Sequence, residues 1–136
     1  MKIFMETDGT KSKEKKLMYS TTLPKNLRNG LQEAAQRLHR KKADWVRAAL
    51  AFFLGQSEKD QENLLLNAYE NMDASQLRPF TTTLWENQMD SLNRLSKKIK
   101  RSKADIIRAA IFALLARDEA EQEREIKSPA SRVRVI

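Results

Sequence analysis

Two short segments of the chain alternate between inner and outer positions with the period of two that is typical of a β-strand. In the first segment the inner face carries Leu17, Tyr19, Thr21 and Leu23, and the outer face carries Met18, Ser20 and Thr22. In the second segment the inner face carries Phe80, Thr82 and Leu84, and the outer face carries Thr81 and Thr83. Because Thr and aromatic residues favour strands, the pattern predicts two strands whose outer faces are small and rich in hydroxyl groups.

Each predicted strand is followed by two segments with helical periodicity. The first helix of each pair spans residues 25–39 or 86–100, and it carries one apolar stripe with spacings of three and four. The stripes consist of Leu27, Leu31, Ala34 and Leu38 in one segment and Met89, Leu92, Leu95 and Ile99 in the other. The second helix spans residues 42–55 or 103–117 and is apolar nearly all round, so we expect it to be buried.

The two strand-helix-helix segments are copies of one another. A shift of 61 residues aligns Tyr19–Leu54 with Phe80–Leu115 without a gap, and 13 of the 36 pairs are identical, where chance gives about two. A single copy leaves both edges of its strand unpaired and cannot cover its apolar second helix. The sequence therefore predicts a mainly α fold with a two-stranded antiparallel β-ribbon, in which two repeats share one core as a pseudo-dimer.

Charge divides the chain into five segments. We assign residues 1–15 to a basic N-terminal arm with Lys11 and Lys13, 16–56 to the first repeat and 78–117 to the second. Residues 57–77 form an acidic connector with a net charge of −4, and Leu64, Leu65, Ala68, Tyr69 and Met72 predict a helix there. Residues 118–136 form a charged C-terminal tail, of which 118–125 can extend the last helix.

Several single residues have structural interpretations. Ser102 precedes Asp105 by three positions and predicts a cap for the second helix of the second repeat, whereas Lys41 forfeits that bond in the first repeat. We expect Trp45 in the core and Trp85 as a cover at its edge. Pro79 lacks an N–H, so we expect strand pairing to end there. Arg47 and Arg108 recur inside the apolar helix, where pairing with a carboxylate is favoured over contact with an external partner.

The motif as a whole resembles a known family. Each repeat has T-T-L leading into an amphipathic helix, then a basic turn and the segment K-A-D-x-[VI]-R-A-A-[LI], where x is Trp or Ile. This combination resembles the ribbon-helix-helix family, which includes the Arc, MetJ and CopG repressors. Two motifs in one chain are similar to the TraY-type proteins of plasmid conjugation.

The resemblance implies a DNA-binding role for two groups of residues. In that family the ribbon enters the major groove, which assigns base contacts to the outer residues Met18, Ser20, Thr22, Thr81 and Thr83. The N-termini of the second helices bind phosphates, which assigns phosphate contacts to Arg40, Lys41, Lys42, Arg101, Ser102 and Lys103. Lys16, at the edge of the ribbon, is assigned a phosphate contact as well. The two ribbon halves differ in sequence, so we expect an asymmetric DNA site.

Composition agrees with this expectation and argues against other functions. The net charge of +8 and the pI near 9.9 indicate a polyanionic partner, either nucleic acid or an anionic membrane surface, and the resemblance implies that this partner is double-stranded DNA. The chain has no Cys, one His and no phosphate-binding Gly loop, so we expect no enzyme, no metal site and no cofactor. We find no run of about 18 apolar residues, and thus expect no membrane partner and a cytoplasmic location near the nucleoid or a plasmid.

The sequence leaves the biological role open among three hypotheses. The first is a transcriptional regulator of the repressor type, and the sequence leaves open whether several copies assemble cooperatively on DNA. The second is an accessory protein that bends DNA at a plasmid transfer origin. The third is an antitoxin-like module that binds a protein partner through its C-terminal tail.

Overall fold

The computed structural model describes residues 15–72 and 76–128 of this 136-residue chain. Those residues form two strands and six helices: β1 (Lys16–Pro24), α1 (Lys25–Arg37), α2 (Lys42–Leu54), α3 (Glu58–Glu70), β2 (Leu77–Trp85), α4 (Glu86–Ile99), α5 (Lys103–Leu115) and α6 (Glu119–Lys127). The protein is thus mainly helical with one two-stranded antiparallel sheet, which confirms the coarse fold prediction. The predicted arm residues Lys11 and Lys13 and the tail segment 129–136 lie outside the described residues.

The two strands pair along their whole length in a register that follows the sequence repeat. Ser20 lies opposite Thr81, which is the residue 61 positions later and its equivalent in the second copy. The pairing extends equally to both sides, from Lys16 opposite Trp85 to Pro24 opposite Leu77. The antiparallel ribbon is therefore centred on the equivalent pair of the repeat whose two members lie directly opposite each other.

Strand pairing does not end at Pro79, and that prediction is wrong. The Glu86 N–H donates to the Lys15 carbonyl at 2.8 Å, which sets the alternation of hydrogen-bonded and non-hydrogen-bonded pairs along the ladder. Pro79, opposite Thr22, falls in the non-hydrogen-bonded set. Its missing N–H would point away from β1, so the ladder loses no bond and continues to Leu77.

The core lies beneath the ribbon, between the two apolar helices. Helices α2 and α5 pack against each other, α1 and α3 pack on α5, and α6 packs on α2. The largest fully buried side chains are Trp45, Phe53, Leu23, Leu27, Leu31, Leu50, Leu84, Leu92, Ile106, Ile107, Ile111 and Leu114. Trp45 is therefore a core residue, as the sequence predicted, and both repeats contribute to one core.

The turns between the first and second helices have the same backbone shape in the two repeats. His39 and Lys100 occupy equivalent positions, and both adopt the left-handed conformation, with φ of 56° and 58°. A left-handed residue ends an α-helix. Helices α1 and α4 consequently stop at Arg37 and Ile99, slightly before their predicted ends, and Leu38 is only partly buried.

A third helix follows the second helix in both halves of the chain. In α3 the Ser57 hydroxyl accepts from the Asp60 N–H at 3.1 Å, and in α6 the Asp118 carboxylate accepts from the Glu121 N–H at 2.9 Å. The cap at Asp118 starts a separate helix instead of extending the preceding one. The longest helix of the described residues has 14 residues, short of the roughly 20 that a membrane span needs.

The predicted apolar side of α3 is correct except at Tyr69. The buried face of this helix runs through Gln61, Leu65 and Ala68, with spacings of four and three. Tyr69 lies beyond the edge of that stripe and is 77% exposed. The error arises because a short helix with several apolar neighbours does not fix which of them face the core.

Candidate nucleic-acid interface

The outer face of the ribbon is a polar, solvent-exposed surface. We call it the ribbon face, and it consists of Lys16, Met18, Ser20, Thr22, Leu77, Pro79, Thr81 and Thr83. Burial alternates along β1 as the sequence predicted, with Met18 75% exposed and Leu23 fully buried. At the centre, the Ser20 and Thr81 hydroxyl oxygens are 3.1 Å apart and share a hydrogen bond. The close approach follows from their place in a non-hydrogen-bonded pair, where side chains lie nearest to each other.

The threonines near the two ends of the ribbon are hydrogen-bonded by arginines from the buried helices. Arg108 of α5 donates to the Thr22 carbonyl at 3.0 Å and to the Thr22 hydroxyl at 2.8 Å. Arg47 of α2 makes the same two contacts with Thr83, at 3.1 Å and 2.5 Å. Thr22 and Thr83 are accordingly half-buried, and their hydroxyl oxygens already act as acceptors inside the protein.

Each of these arginines is also paired with a carboxylate on its own helix. Arg47 pairs with Asp44, and Arg108 pairs with Asp105 at 3.1 Å, both three residues earlier. The predicted carboxylate pairing is confirmed. The two aspartates therefore hold the guanidinium groups in place, and the guanidinium groups hold the second helix of one repeat to the strand of the other.

Trp85 lies where β2 leads into α4 and contacts two cations. The Lys16 ammonium and the Arg47 guanidinium each lie 5.3 Å from the centre of the indole ring, a favourable cation–π distance. The Gln88 side chain also contacts this region: it accepts from the main-chain N–H of Trp85 at 3.2 Å and donates to the Arg47 carbonyl at 2.9 Å. Lys16, a predicted phosphate contact, is thus held at the edge of the ribbon face.

The two basic turns lie at the N-termini of α2 and α5. Lys41, Lys42, Arg101 and Ser102 are exposed there, and Lys103 is partly buried. In the second turn the Ser102 hydroxyl accepts from the Asp105 N–H at 3.0 Å, whereas Lys41 provides no such side-chain bond. The Asp105 carboxylate pairs with Arg108. The cap observed is therefore the hydrogen bond that the Ser102 hydroxyl accepts.

The unequal capping leads to a stability prediction. Ser102→Ala should lower the free energy of unfolding by about 1 kcal/mol, because the Asp105 N–H loses its partner. Lys41→Ser should raise it by a similar amount, because it introduces the missing cap in α2. Urea unfolding of both variants measures the two changes. Equal and small effects at both positions would contradict the assignment of the caps.

Arg40, another predicted phosphate contact, is engaged within the protein. Its guanidinium pairs with Glu123 of α6 at 3.1 Å, and Arg37 pairs with Glu119 of the same helix at 2.5 Å. In the other half of the chain, Lys98 pairs with Glu58 of α3. Arg37 and Lys98 are equivalent residues of the repeat, as are Glu58 and Glu119, so each third helix makes the same contact with the opposite repeat.

The sequence-based prediction of this surface did not include the acidic residues of the third helices. The same shift of 61 residues continues through them and aligns Glu58, Gln61 and Glu62 with Glu119, Gln122 and Glu123. Both glutamines are buried, and each donates to a main-chain carbonyl, Gln61 to Phe53 at 3.1 Å and Gln122 to Arg117 at 2.9 Å. These three identities were the available signal for a third helix in each repeat.

The ion pairs lower the pKa values of the acidic residues that form them. The hydrogen bond from Lys98 holds the pKa of the Glu58 carboxyl below its ordinary value of 4.5. The hydrogen bond from Arg40 does the same for the pKa of Glu123, with a further contribution from Lys127. Burial has the opposite effect on Tyr19, under the ribbon, whose pKa is raised. Glu58 and Glu123 are therefore ionised at neutral pH.

Comparisons with protein-family models, with curated proteins and with solved structures find no match to this chain.

Proposed function

We propose that this chain binds double-stranded DNA as a tandem ribbon-helix-helix protein, with its two repeats arranged as a pseudo-dimer, and that it acts as a transcriptional repressor. The observation that carries the proposal is the pairing of Ser20 with Thr81. This pairing joins the outer faces of both strands into one polar surface. The second turns of α5 and α2 contact its opposite ends through Arg108 and Arg47.

Reciprocal contacts between the repeats support the pseudo-dimer. In a two-fold symmetric dimer, a contact from residue i to residue j is matched by one from j to i. Here the Arg47 contact with Thr83 is matched by Arg108 with Thr22, and the Glu58 contact with Lys98 is matched by Glu119 with Arg37. The ribbon register and the left-handed turn residues follow the same relation.

The chemistry of the ribbon face suits the edges of base pairs in the major groove. A two-stranded ribbon fits that groove, where hydroxyl groups donate to guanine or thymine oxygens and accept from adenine or cytosine amines. Ser20 and Thr81 occupy the centre, and the exposed Met18 side chain suits contact with a thymine methyl group. Thr22 and Thr83 retain the O–H as a donor, since their oxygens accept from arginine.

The helix N-termini beside the ribbon suit backbone phosphates. The first turns of α2 and α5 present main-chain N–H groups that lack an intrahelical partner, of which the Asp105 N–H is capped by Ser102, together with the positive end of the helix dipole. Lys41, Lys42 and Lys103 add positive charge at those ends, and Lys16 adds it at the ribbon edge. Phosphate contacts of this kind fix the orientation of a protein on DNA, while the ribbon selects the sequence.

Retention of genomic DNA tests the proposal directly. The purified protein is incubated with sheared DNA from its source at near-physiological salt, and the retained fragments are sequenced. We expect sharp enrichment at a few sites in promoters. Enrichment at a transfer origin would replace repression with the conjugation role. Uniform retention would contradict sequence recognition, and no retention would overturn DNA binding altogether.

Substitutions at the two kinds of contact should have different effects. The double change Ser20→Ala and Thr81→Val removes the central hydroxyls, and should reduce the preference for enriched over random DNA while leaving the salt dependence unchanged. The double change Lys42→Ala and Lys103→Ala should weaken binding to all DNA and flatten the log–log salt dependence by about 1.8, or 0.9 per phosphate. Titrations at several salt concentrations measure both. A change in salt dependence from the hydroxyl variant would contradict the division of roles.

A further inference from the structure

The two third helices make different contacts with the two basic turns. Arg40 in the first turn pairs with Glu123 of α6. The equivalent residues in the other half are Arg101 and Glu62 of α3, and no ion pair joins them in the described part of the chain. They instead line an open cleft of about 530 Å³ with Glu58, Gln61, Leu65, Lys98 and Ile99. The same two residue types thus meet in one half and stay apart in the other.

Helix α6 is a fixed element of the fold, so its acidic residues have defined positions. Ile126 and Gln122 are buried against the rest of the protein, and Asp118 caps the first turn. Glu123 lies between Arg40 and Lys127, with its oxygen 3.1 Å and 3.4 Å from their nitrogens. A DNA phosphate that approaches Arg40 must therefore compete with a carboxylate that is already in place.

We propose that α6 withholds Arg40 from DNA, so that the two basic turns bind the phosphate backbone unequally, with Arg101 making a contact that Arg40 does not. This inference rests on the proposed DNA-binding function, and it assigns to Glu123 the role of an intramolecular competitor of phosphate. The carboxylate accepts a hydrogen bond from one nitrogen of the Arg40 guanidinium and places a negative charge beside the site. Arg101 is exposed, and within residues 15–72 and 76–128 its side chain makes no hydrogen bond or ion pair.

A matched pair of charge-neutralising variants tests the competition. Glu123→Gln and Glu62→Gln change the net charge by the same amount at equivalent positions of the repeat. Glu123→Gln should tighten binding to the DNA selected by the wild type by about fivefold and steepen the salt dependence by about 0.9, the value for one additional phosphate. Glu62→Gln should change affinity less than twofold and leave the salt dependence unchanged. Equal effects of the two variants would mean that net charge alone matters, and this would overturn the proposal.

The arginines provide the complementary test. Arg101→Gln should weaken binding by about fivefold and flatten the salt dependence by about 0.9, whereas Arg40→Gln should change neither. In the Glu123→Gln background, Arg40→Gln should become as harmful as Arg101→Gln. Equal losses for the two arginines in the wild-type background would overturn the proposal.

Two controls separate the possible failures. Thermal unfolding of each variant shows whether a change in binding comes from a change in folding, and only variants that melt with the wild type are compared. If the wild-type protein retains no DNA, the proposed function fails before the variants are made. If the wild type binds DNA and the two glutamate variants behave alike, only the unequal use of the turns fails.

Discussion

Thr81→Asp is expected to abolish specific DNA binding while leaving the protein folded. Thr81 is exposed at the centre of the ribbon, opposite Ser20, so an aspartate there would face the DNA at the point of closest approach. Like charges brought together at an interface cost several kcal/mol. About 3 kcal/mol corresponds to a loss of affinity of roughly 100-fold or more. An exposed substitution in a strand changes stability by only about 1 kcal/mol.

The measurement is fluorescence anisotropy with the DNA fragment that the wild type retains most strongly. Asn63→Asp is the matched control, because it makes the same change of charge at an exposed position of α3, outside the ribbon face and the basic turns. We expect Asn63→Asp to bind within a factor of about two of the wild type, since an isolated surface charge is largely screened at physiological salt. Similar affinities for the two variants would show that the ribbon face does not contact DNA.

The fold was predictable from the sequence because two independent patterns agreed. The period of two in the strands and the spacings of three and four in the helices placed Leu23, Leu31 and Trp45 in the core, where they are buried. The 61-residue repeat then required the strands to pair, since neither copy can satisfy its own strand edge. Local periodicity and an internal repeat are both visible in a single sequence.

The contacts of the third helices escaped prediction because their signals are weak and long-range. The sequence predicts a helix in the connector, where α3 lies, but not its ion pairs, and it does not separate α6 from the preceding helix. Helix α6 is short and mostly charged, and few residues of either third helix are buried, such as Leu65 and Ala68 in α3. Their role depends on ion pairs between residues far apart in the chain: Arg37 and Glu119 are separated by 82 positions. Such contacts follow from how the helices pack, and no local pattern specifies them.

The contacts of the ribbon-end threonines show a similar limit. The sequence placed Thr22 and Thr83 on the outer face and assigned Arg47 and Arg108 to carboxylates, and both assignments agree with the structure. It did not connect the arginines with the threonines, because each guanidinium reaches across to the strand of the other repeat. One arginine can satisfy a carboxylate, a carbonyl and a hydroxyl together, since its planar group carries five donors.

Arg47 should contribute more to stability than its equivalent Arg108. The Arg47 side chain is 6% exposed and lies over the Trp85 ring, whereas the Arg108 side chain is 16% exposed and makes no cation–π contact among the described residues. Arg47→Ala leaves the Thr83 carbonyl and hydroxyl without a donor and removes the contact with the indole. We expect it to lower the free energy of unfolding by about 3 kcal/mol.

Arg108→Ala is the internal comparison, with an expected loss of about 1–2 kcal/mol. Asp44 and Asp105 limit both effects, because they are 41% and 44% exposed and water can replace the lost guanidinium. Urea unfolding followed by circular dichroism measures both variants, and Trp85→Leu in each background separates the ring contact from the hydrogen bonds. If Arg108→Ala lowers the free energy of unfolding more than Arg47→Ala does, then burial and the indole contact do not determine how strongly each of these equivalent arginines holds its helix to the strand.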